Sequence, residues 1–291
     1  MNNHSRGAAL IIVLFISAIL ASIAALMIIK TKQHMQRITI AKDFMQAERK
    51  LITDLNQLIF LTQTTPYAIL GDNTDFAQYT NTLPKGINLQ GVPFIFQDSE
   101  FSIQDMGGLL AILPFNRERT ISYLKQNNWP DSDIYHFIDV LQDWQDADGF
   151  TRVNGAEEFD YDVFGYPLNQ PIQTVKEISL FAKVDSALLD ALAVDENIML
   201  FGAGSTTPGY TPDKLLSVFN SEFDAKLILK ERIKNRERDY PPIRNNNPTG
   251  NWIIKVNTSY GQGKSSKILH LLRRFGERRP FVISYWQERG K

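Results

Sequence analysis

Seven carboxylates fall within twenty residues of this chain: Asp143, Asp146, Asp148, Glu157, Glu158, Asp160 and Asp162. Hard oxygen donors at this density suit a calcium ion, which takes about six to eight of them in irregular geometry. Asp146-Ala147-Asp148-Gly149 imitates part of an EF-hand loop, but the register fails, because position one falls on Trp144 and position twelve on Gly155. The segment is therefore not an EF-hand. From spacing alone two readings stand: a cation site drawing on Asp143, Asp146, Asp148, Glu157, Glu158 and Asp160, or a solvated acidic loop.

Other constellations carry less. Gly261-Gln262-Gly263-Lys264-Ser265 looks like the end of a phosphate-binding loop, but the pattern needs a glycine where Thr258 stands. A Gly-rich hairpin turn is the better reading. Gly202 to Gly209 is a second Gly-rich loop, without a following Lys. The runs Lys230–Arg238 and Arg273–Arg279 are basic but interleaved with Glu, which fits a solvated helix face and a charged strand edge. The four histidines, His4, His34, His136 and His270, are far apart and form no metal-binding pair. There is no cysteine, so thiolate metal sites, disulfides and thiol nucleophiles are excluded. Lys+Arg total 31 against 32 for Asp+Glu, a net charge of −1. The chain thus lacks the positive field of a nucleic-acid binder, and no nucleic-acid partner is expected.

The elements that must position the acidic segment begin with the N-terminus. A short polar stretch ends in Arg6-Gly7, and 22 uncharged residues follow, Ala8 to Ile29. About 20 apolar residues span a bilayer. A cleaved secretory signal has a shorter apolar region with a small-x-small site after it; here Lys30-Thr31-Lys32 follows instead. Two readings remain. One is a plain signal anchor. The other is a prepilin-like leader, cut between Gly7 and Ala8 so that the apolar helix stays on the mature protein. Ser17 and Ser22 can bond back to their own helix.

From Thr31 to about Thr62 there is no Pro or Gly, and Phe44, Ala47, Leu51, Leu55 and Leu58 share one helical face. Lys42, Asp43, Arg49, Lys50 and Asp54 lie largely off that stripe. One helix from Ala8 to about Thr62 would be roughly 80 Å long. Its first half is apolar all round and its second half one-sided, as suits a rod that packs in lipid or a filament core and then carries a head.

The middle of the chain is more specific. Leu141-Gln142-Asp143-Trp144-Gln145-Asp146-Ala147-Asp148, then Asn154-Gly155-Ala156-Glu157 and Tyr161, resembles the acidic-Trp signature of the minor pseudopilin K family of type II secretion systems (GspK). Pro171-Ile172-Gln173-Thr174-Val175-Lys176-Glu177-Ile178 resembles that family's next helix start. Pilins usually carry Glu as the fifth residue of the mature chain; here that position is Ile12, an absence the K subunits share. The Asn-rich turns of the family are replaced by Gly107–Ala111 and Phe201–Ser205. The resemblance implies calcium bound in this domain, processing and methylation of the new N-terminus by a prepilin peptidase, and no catalysis. It also implies minor pseudopilins I and J and other pseudopilins as partners, and a single-pass place in the inner membrane with the head in the periplasm. Leu14, Phe15, Ile19 and Ile23 are the expected partner-binding residues of the rod.

The expected fold class is α+β: a long N-terminal helix on an antiparallel sheet, with a large inserted all-helical domain. The expected division is 1–7 leader, 8–29 membrane or filament-core helix, 30–63 amphipathic continuation, 64–104 and 249–291 pilin-like head, and 105–248 insertion. Strands are expected within Val92–Ile103, Trp252–Val256, Ile268–Phe275 and Phe281–Trp286. Helices are expected at Glu118–Asn127, Ser132–Trp144, Val175–Ala182, Ser186–Val194, Pro212–Phe219 and Asp224–Arg238. The expected role is a tip subunit that initiates or caps a secretion pseudopilus. Two alternatives stand beside it: a signal-anchored periplasmic metal-dependent hydrolase, and a minor pilin of a type IV pilus or DNA-uptake system.

Overall fold

The computed structural model describes residues 4–71, 82–202, 207–236, 247–274, 276 and 281–288. Residues 1–3 of the expected leader, and residues 203–206 of the Gly-rich stretch from Gly202 to Gly209, lie outside the described residues. Helix α1 runs His4–Thr64, 61 residues, or about 90 Å at 1.5 Å per residue. It stops where Pro66 constrains Thr65 away from helical backbone, and a short helix α2, Tyr67–Leu70, follows. Gly71 then turns the chain at φ +53, and a Cβ there would stand 2.6 Å from the Tyr210 hydroxyl.

A five-stranded antiparallel sheet carries the head, in the order β1-β2-β5-β6-β7. Its strands are β1 Phe94–Phe96, β2 Ser99–Asp105, β5 Asn251–Tyr260, β6 Gly263–Arg273 and β7 Phe281–Glu288. Trp252, Ile254, Val256 and Thr258 of β5 are buried on one face at strand period two. Leu51, Leu55, Leu58 and Ile59 of α1 pack with Phe101, Ile103, Trp252, Ile254, Val256, Leu269 and Leu271 in one hydrophobic core, and Ala47 one turn earlier is buried. Phe44, the first residue of the expected stripe, is exposed. There α1 has reached the level of the β5–β6 turn, where the backbone of Asp43 and Phe44 occupies the space a Cβ on Gly263 would need. The Gly261–Lys264 stretch is thus the β-hairpin turn expected, and Gln262 N–H donates to Asp43 Oδ2 at 3.1 Å. Asp54 is not off the buried stripe as expected. It is buried, with Lys50 Nζ at 2.7 Å and the Ser99 hydroxyl donating to it at 2.6 Å; the pairing makes burial of the charge tolerable.

β2 and β5 are neighbours in this sheet, yet residues 106–250 lie between them in sequence. The chain leaves and returns at one buried carboxylate. Asp105 accepts from Gly107 N–H at 2.8 Å, Thr249 N–H at 2.9 Å and the Thr249 hydroxyl at 2.9 Å. Burial pushes its pKa up to about 6, against those hydrogen bonds.

The intervening segment has its own core, including Tyr123, Leu124, Trp129, Phe137, Leu141, Trp144, Ile178, Leu189 and Leu215. Its helices are α3 Arg117–Gln126, α4 Asp131–Asp143, α5 Ser186–Ala193, α6 Asp213–Phe219 and α7 Glu222–Arg236. Asn116 caps α3 through Arg119 N–H, and Asp185 caps α5 through Ala187 N–H. Two features differ from expectation. Val175–Leu180 is 3-10 rather than α-helical, opened by a capping box between Thr174 and Glu177. And the segment is not all-helical: β3, Leu110–Leu113, pairs in parallel with β4, Ile198–Phe201. Each is a four-residue apolar run beside glycine, too short for its period to distinguish strand from turn.

The close approach at Gly263 makes a clear expectation. Gly263→Ala forces the hairpin off α1 and should cost about 2 kcal/mol, read as a lower melting temperature of the detergent-solubilised chain. Gly149→Ala, where a Cβ meets nothing within 4 Å, should leave it unchanged.

Candidate functional site: an apolar rod and a knotted acidic loop

The rod is the outward part of α1. Among the described side chains from Ile11 to Ile29, all are exposed, including the expected partner-binding Leu14, Phe15, Ile19 and Ile23. Ser17 and Ser22 donate back to Leu14 O at 2.8 Å and Ala18 O at 2.9 Å, so the stretch offers lipid or a partner no unpaired hydroxyl. It is the one described helix long and apolar enough to cross a membrane. Gly7 and Ala8 lie on the helical backbone of α1; their side-chain surroundings lie outside the described residues. Ile12, fifth from Ala8, is exposed like its neighbours. Apolar exposure continues beyond the rod: Ile38, Met45 and Ile52 recur every seven residues on the side of α1 away from the sheet.

The acidic loop is built around the end of α4. Asp143 closes that helix and is fully buried. Its carboxylate accepts from the Arg152 backbone N–H at 3.2 Å and from the Arg152 guanidinium, which also pairs with Asp146. Hydrogen bonds from that guanidinium to Asp146 and Asp143 hold Arg152 above its ordinary pKa. Gly155 faces Asp143 so closely that a Cβ would overlap the carboxylate. Lys183 Nζ then donates to Gly155 O at 2.8 Å and pairs with Asp160 at 2.9 Å. Burial raises the Asp160 carboxyl, but Lys183 and the Glu157 backbone outweigh it and leave the pKa below its ordinary value.

Trp144 is buried beneath this loop against Tyr161, Tyr166 and Phe181, with ring centroids 5.9, 5.3 and 5.2 Å away. Its indole N–H points to Glu177 Oε2 at 3.4 Å, while Glu177 Oε1 accepts from Gln173 N–H at 2.9 Å and Thr174 N–H at 2.7 Å. The structure thus brings the two sequence stretches, 141–161 and 171–178, into one packed unit. Arg152 and Lys183 were not singled out in the sequence. Their signal there is only that each is a lone cation beside a surplus of carboxylates.

Of the expected metal ligands, Asp143, Asp146 and Glu157 converge electrostatically. Asp160 is paired with Lys183, while Asp148 and Glu158 are exposed. Among the described residues, no three acidic or histidine side chains stand in an arrangement that holds a metal ion; Arg152 sits between Asp143 and Asp146. The donor chemistry nevertheless suits a hard cation. Asp146 Oδ1 and Glu157 Oε1 are buried with no hydrogen-bond partner. Burial first, then the charges of Asp143, Asp146 and Asp148, push the Glu157 carboxyl up to about 7. One guanidinium does not balance this negative excess.

The basic runs resolve differently from a solvated face. Arg232 of α7 is buried, pairing with Asp213 at 2.6 Å and donating to Pro208 O and Gly209 O at 2.8 and 3.0 Å. Arg273 donates to Ala68 O at 2.5 Å. Residues 275 and 277–279 of the second run lie outside the described residues. His270 is lowered by burial.

Because Glu157 titrates near 7 folded and at about 4.5 unfolded, the folded state holds the extra proton between those values. Stability from this group is present below about 4.5 and lost as pH rises through 7. Glu157→Gln in EGTA should therefore raise the melting temperature at pH 8 by roughly 5 °C, for about 2 kcal/mol. At pH 4.5 it should change little, as read by thermal denaturation at the two pH values.

No protein-family model matches this chain, and no curated protein matches it. Among solved structures, the chain is similar to one in the crystal structure of the GspK-GspI-GspJ complex from the enterotoxigenic Escherichia coli type 2 secretion system. The TM-score is 0.47 at 11% sequence identity, over 90% of this chain and 100% of that one.

Proposed function

We propose that this chain is a minor pseudopilin of a type II secretion system, which initiates or caps the pseudopilus with other minor pseudopilins and performs no catalysis. The observation that carries the reading is α1. One unbroken helix exposes an apolar rod at its start and buries one face on a sheet at its end, so a single element serves both a greasy environment and a folded head. In the membrane the rod would sit in lipid. In the filament the same surface, with Leu14, Phe15, Ile19 and Ile23, would lie against the helices of partners I and J, and the Ile38–Met45–Ile52 stripe would extend that contact into the periplasm. Removing such a surface from water is favourable by about 25 cal/mol per Å². The segment between β2 and β5 adds a second core beside the head, and its bulk would keep another subunit from stacking above it.

Cleavage between Gly7 and Ala8 by a prepilin peptidase would leave the rod on the mature chain. Ile12 in place of a carboxylate fits a subunit with no neighbour ahead of it, since an unpaired charge in lipid is costly. For the mature protein we expect a mass that begins at Ala8. Gly7→Ala should retain Met1 and abolish secretion; normal maturation of that variant would refute the leader. Co-purification with I and J subunits should follow for the wild-type chain.

Calcium belongs to the same reading. Asp146 and Glu157, with oxygens that lack partners, would be its first ligands, joined from Asp143, Asp148, Glu158 and Asp160. The ion would supply positive charge that tethers a loop with little apolar burial of its own. Millimolar calcium should raise the melting temperature of the full chain, and Asp146→Asn with Glu157→Gln should remove the response. A calcium-independent curve with no metal in elemental analysis would leave Arg152 and Lys183 as the counter-ions of the loop.

A further inference from the structure

The acidic loop presents apolar side chains to solvent to an extent unusual for a folded segment. Phe150 is 83% exposed, Val153 98%, Phe159 100% and Phe164 96%. This is not slack chain. Each of these residues stands within a few positions of a pinned one: Arg152 is tied to Asp143 and Asp146, Asp160 to Lys183, and Tyr161 and Tyr166 pack on Trp144. Tyr166 N–H also donates to Val163 O at 3.3 Å. The knot half-buries the tyrosines against Trp144 and leaves the phenylalanines exposed, so their exposure is held in place rather than incidental.

Three exposed phenylalanines represent on the order of 500 Å² of surface. That is a large part of the roughly 800 Å² each partner gives to a standard protein interface. Charge specifies the partner further. Asp148, Glu158 and Asp162 are exposed between these residues. The cations at hand, Arg152 and Lys183, point inward to carboxylates. Asp148 and Glu158 are also among the calcium ligands proposed above, but seven carboxylates against Arg152, Lys183 and one divalent ion still leave the loop negative, so its surface is aromatic and anionic while the whole chain is nearly neutral. An anionic lipid surface would be repelled by it.

We infer that the loop from Asp148 to Phe164 is a docking surface for a polypeptide partner whose apolar side chains are flanked by lysine and arginine. The phenylalanines supply burial, and the surrounding carboxylates supply selection and faster encounter. The inference needs only the loop and is independent of the assembly role of α1.

The test uses the full chain in phosphatidylcholine nanodiscs, so that lipid does not compete for a basic probe. Two labelled synthetic peptides are compared by fluorescence anisotropy: one alternating Lys with Leu and Phe, the other with Glu at every Lys. The basic peptide should bind about tenfold more tightly or better, and added salt should weaken it. The double variant Phe159→Ser, Phe164→Ser should lose about tenfold in affinity, with an unchanged melting temperature because neither side chain is buried. Equal binding of the two peptides, or unaltered binding by the double variant, overturns the proposal. So does self-association that the double variant abolishes, which would make a second copy of this chain the occupant. Failure here would leave an N-terminus at Ala8 untouched, and a retained Met1 would leave this surface untouched.

Discussion

One helix in this protein has to satisfy two surroundings, and everything else is arranged around that demand. The face of α1 through Leu51, Leu55 and Leu58 is sealed by β5 and β6, and no sheet covers Ile11 to Ile29. The boundary is set by the β5–β6 turn, where Gly263 lets the hairpin meet the backbone at Asp43 and Phe44. Beyond that turn α1 passes through a polar stretch with Lys30, Lys32, Arg37 and Lys42, and its sequence is apolar on every side only from Ala8 to Ile29. A rod and a head joined by one unbroken hydrogen-bonded helix move together.

The second constraint is topological. β2 and β5 must pair although 145 residues separate Asp105 from Asn251 in the chain. Because the connection begins and ends on adjacent strands, the inserted segment can fold around its own core without disturbing the ladder. Asp105 joins the two ends by accepting hydrogen bonds from both Gly107 and Thr249. Its burial raises the pKa, and three donors keep the position tolerable. Gln104 adds a bond to Tyr210 O at 2.8 Å and Gln90 one to Gly209 O at 3.0 Å, so the seam is stitched by polar groups.

The acidic loop shows the opposite economy. It is extended, has little regular structure, and stays ordered because charges and aromatic rings pin it at intervals. The same residues serve structure and surface at once. Asp143, Gly155 and Trp144 are spaced so that a carboxylate, a bare backbone and an indole stack beneath it. This is why the motif spans a loop rather than a helix face, and why the carboxylates outnumber what Arg152 and Lys183 balance.

Much of this was legible from residues alone. The 22-residue apolar run, the absence of Pro and Gly as far as Thr62, and the three-and-four spacing to Leu58 determined a rod continuing into an amphipathic helix, because helical period is a local property. Alternation at Phe94–Ile103 and Trp252–Val256 located strands for the same reason. What only the tertiary structure decided is which distant groups meet. Nothing local says that Arg152 enters between Asp143 and Asp146, that Arg232 is buried against Asp213, or that Asp54 turns inward to Ser99. Nor does it say that four residues at Leu110 pair with four at Ile198. Burial of a charge depends on a partner brought by the fold, and a short strand exists only when another lies beside it.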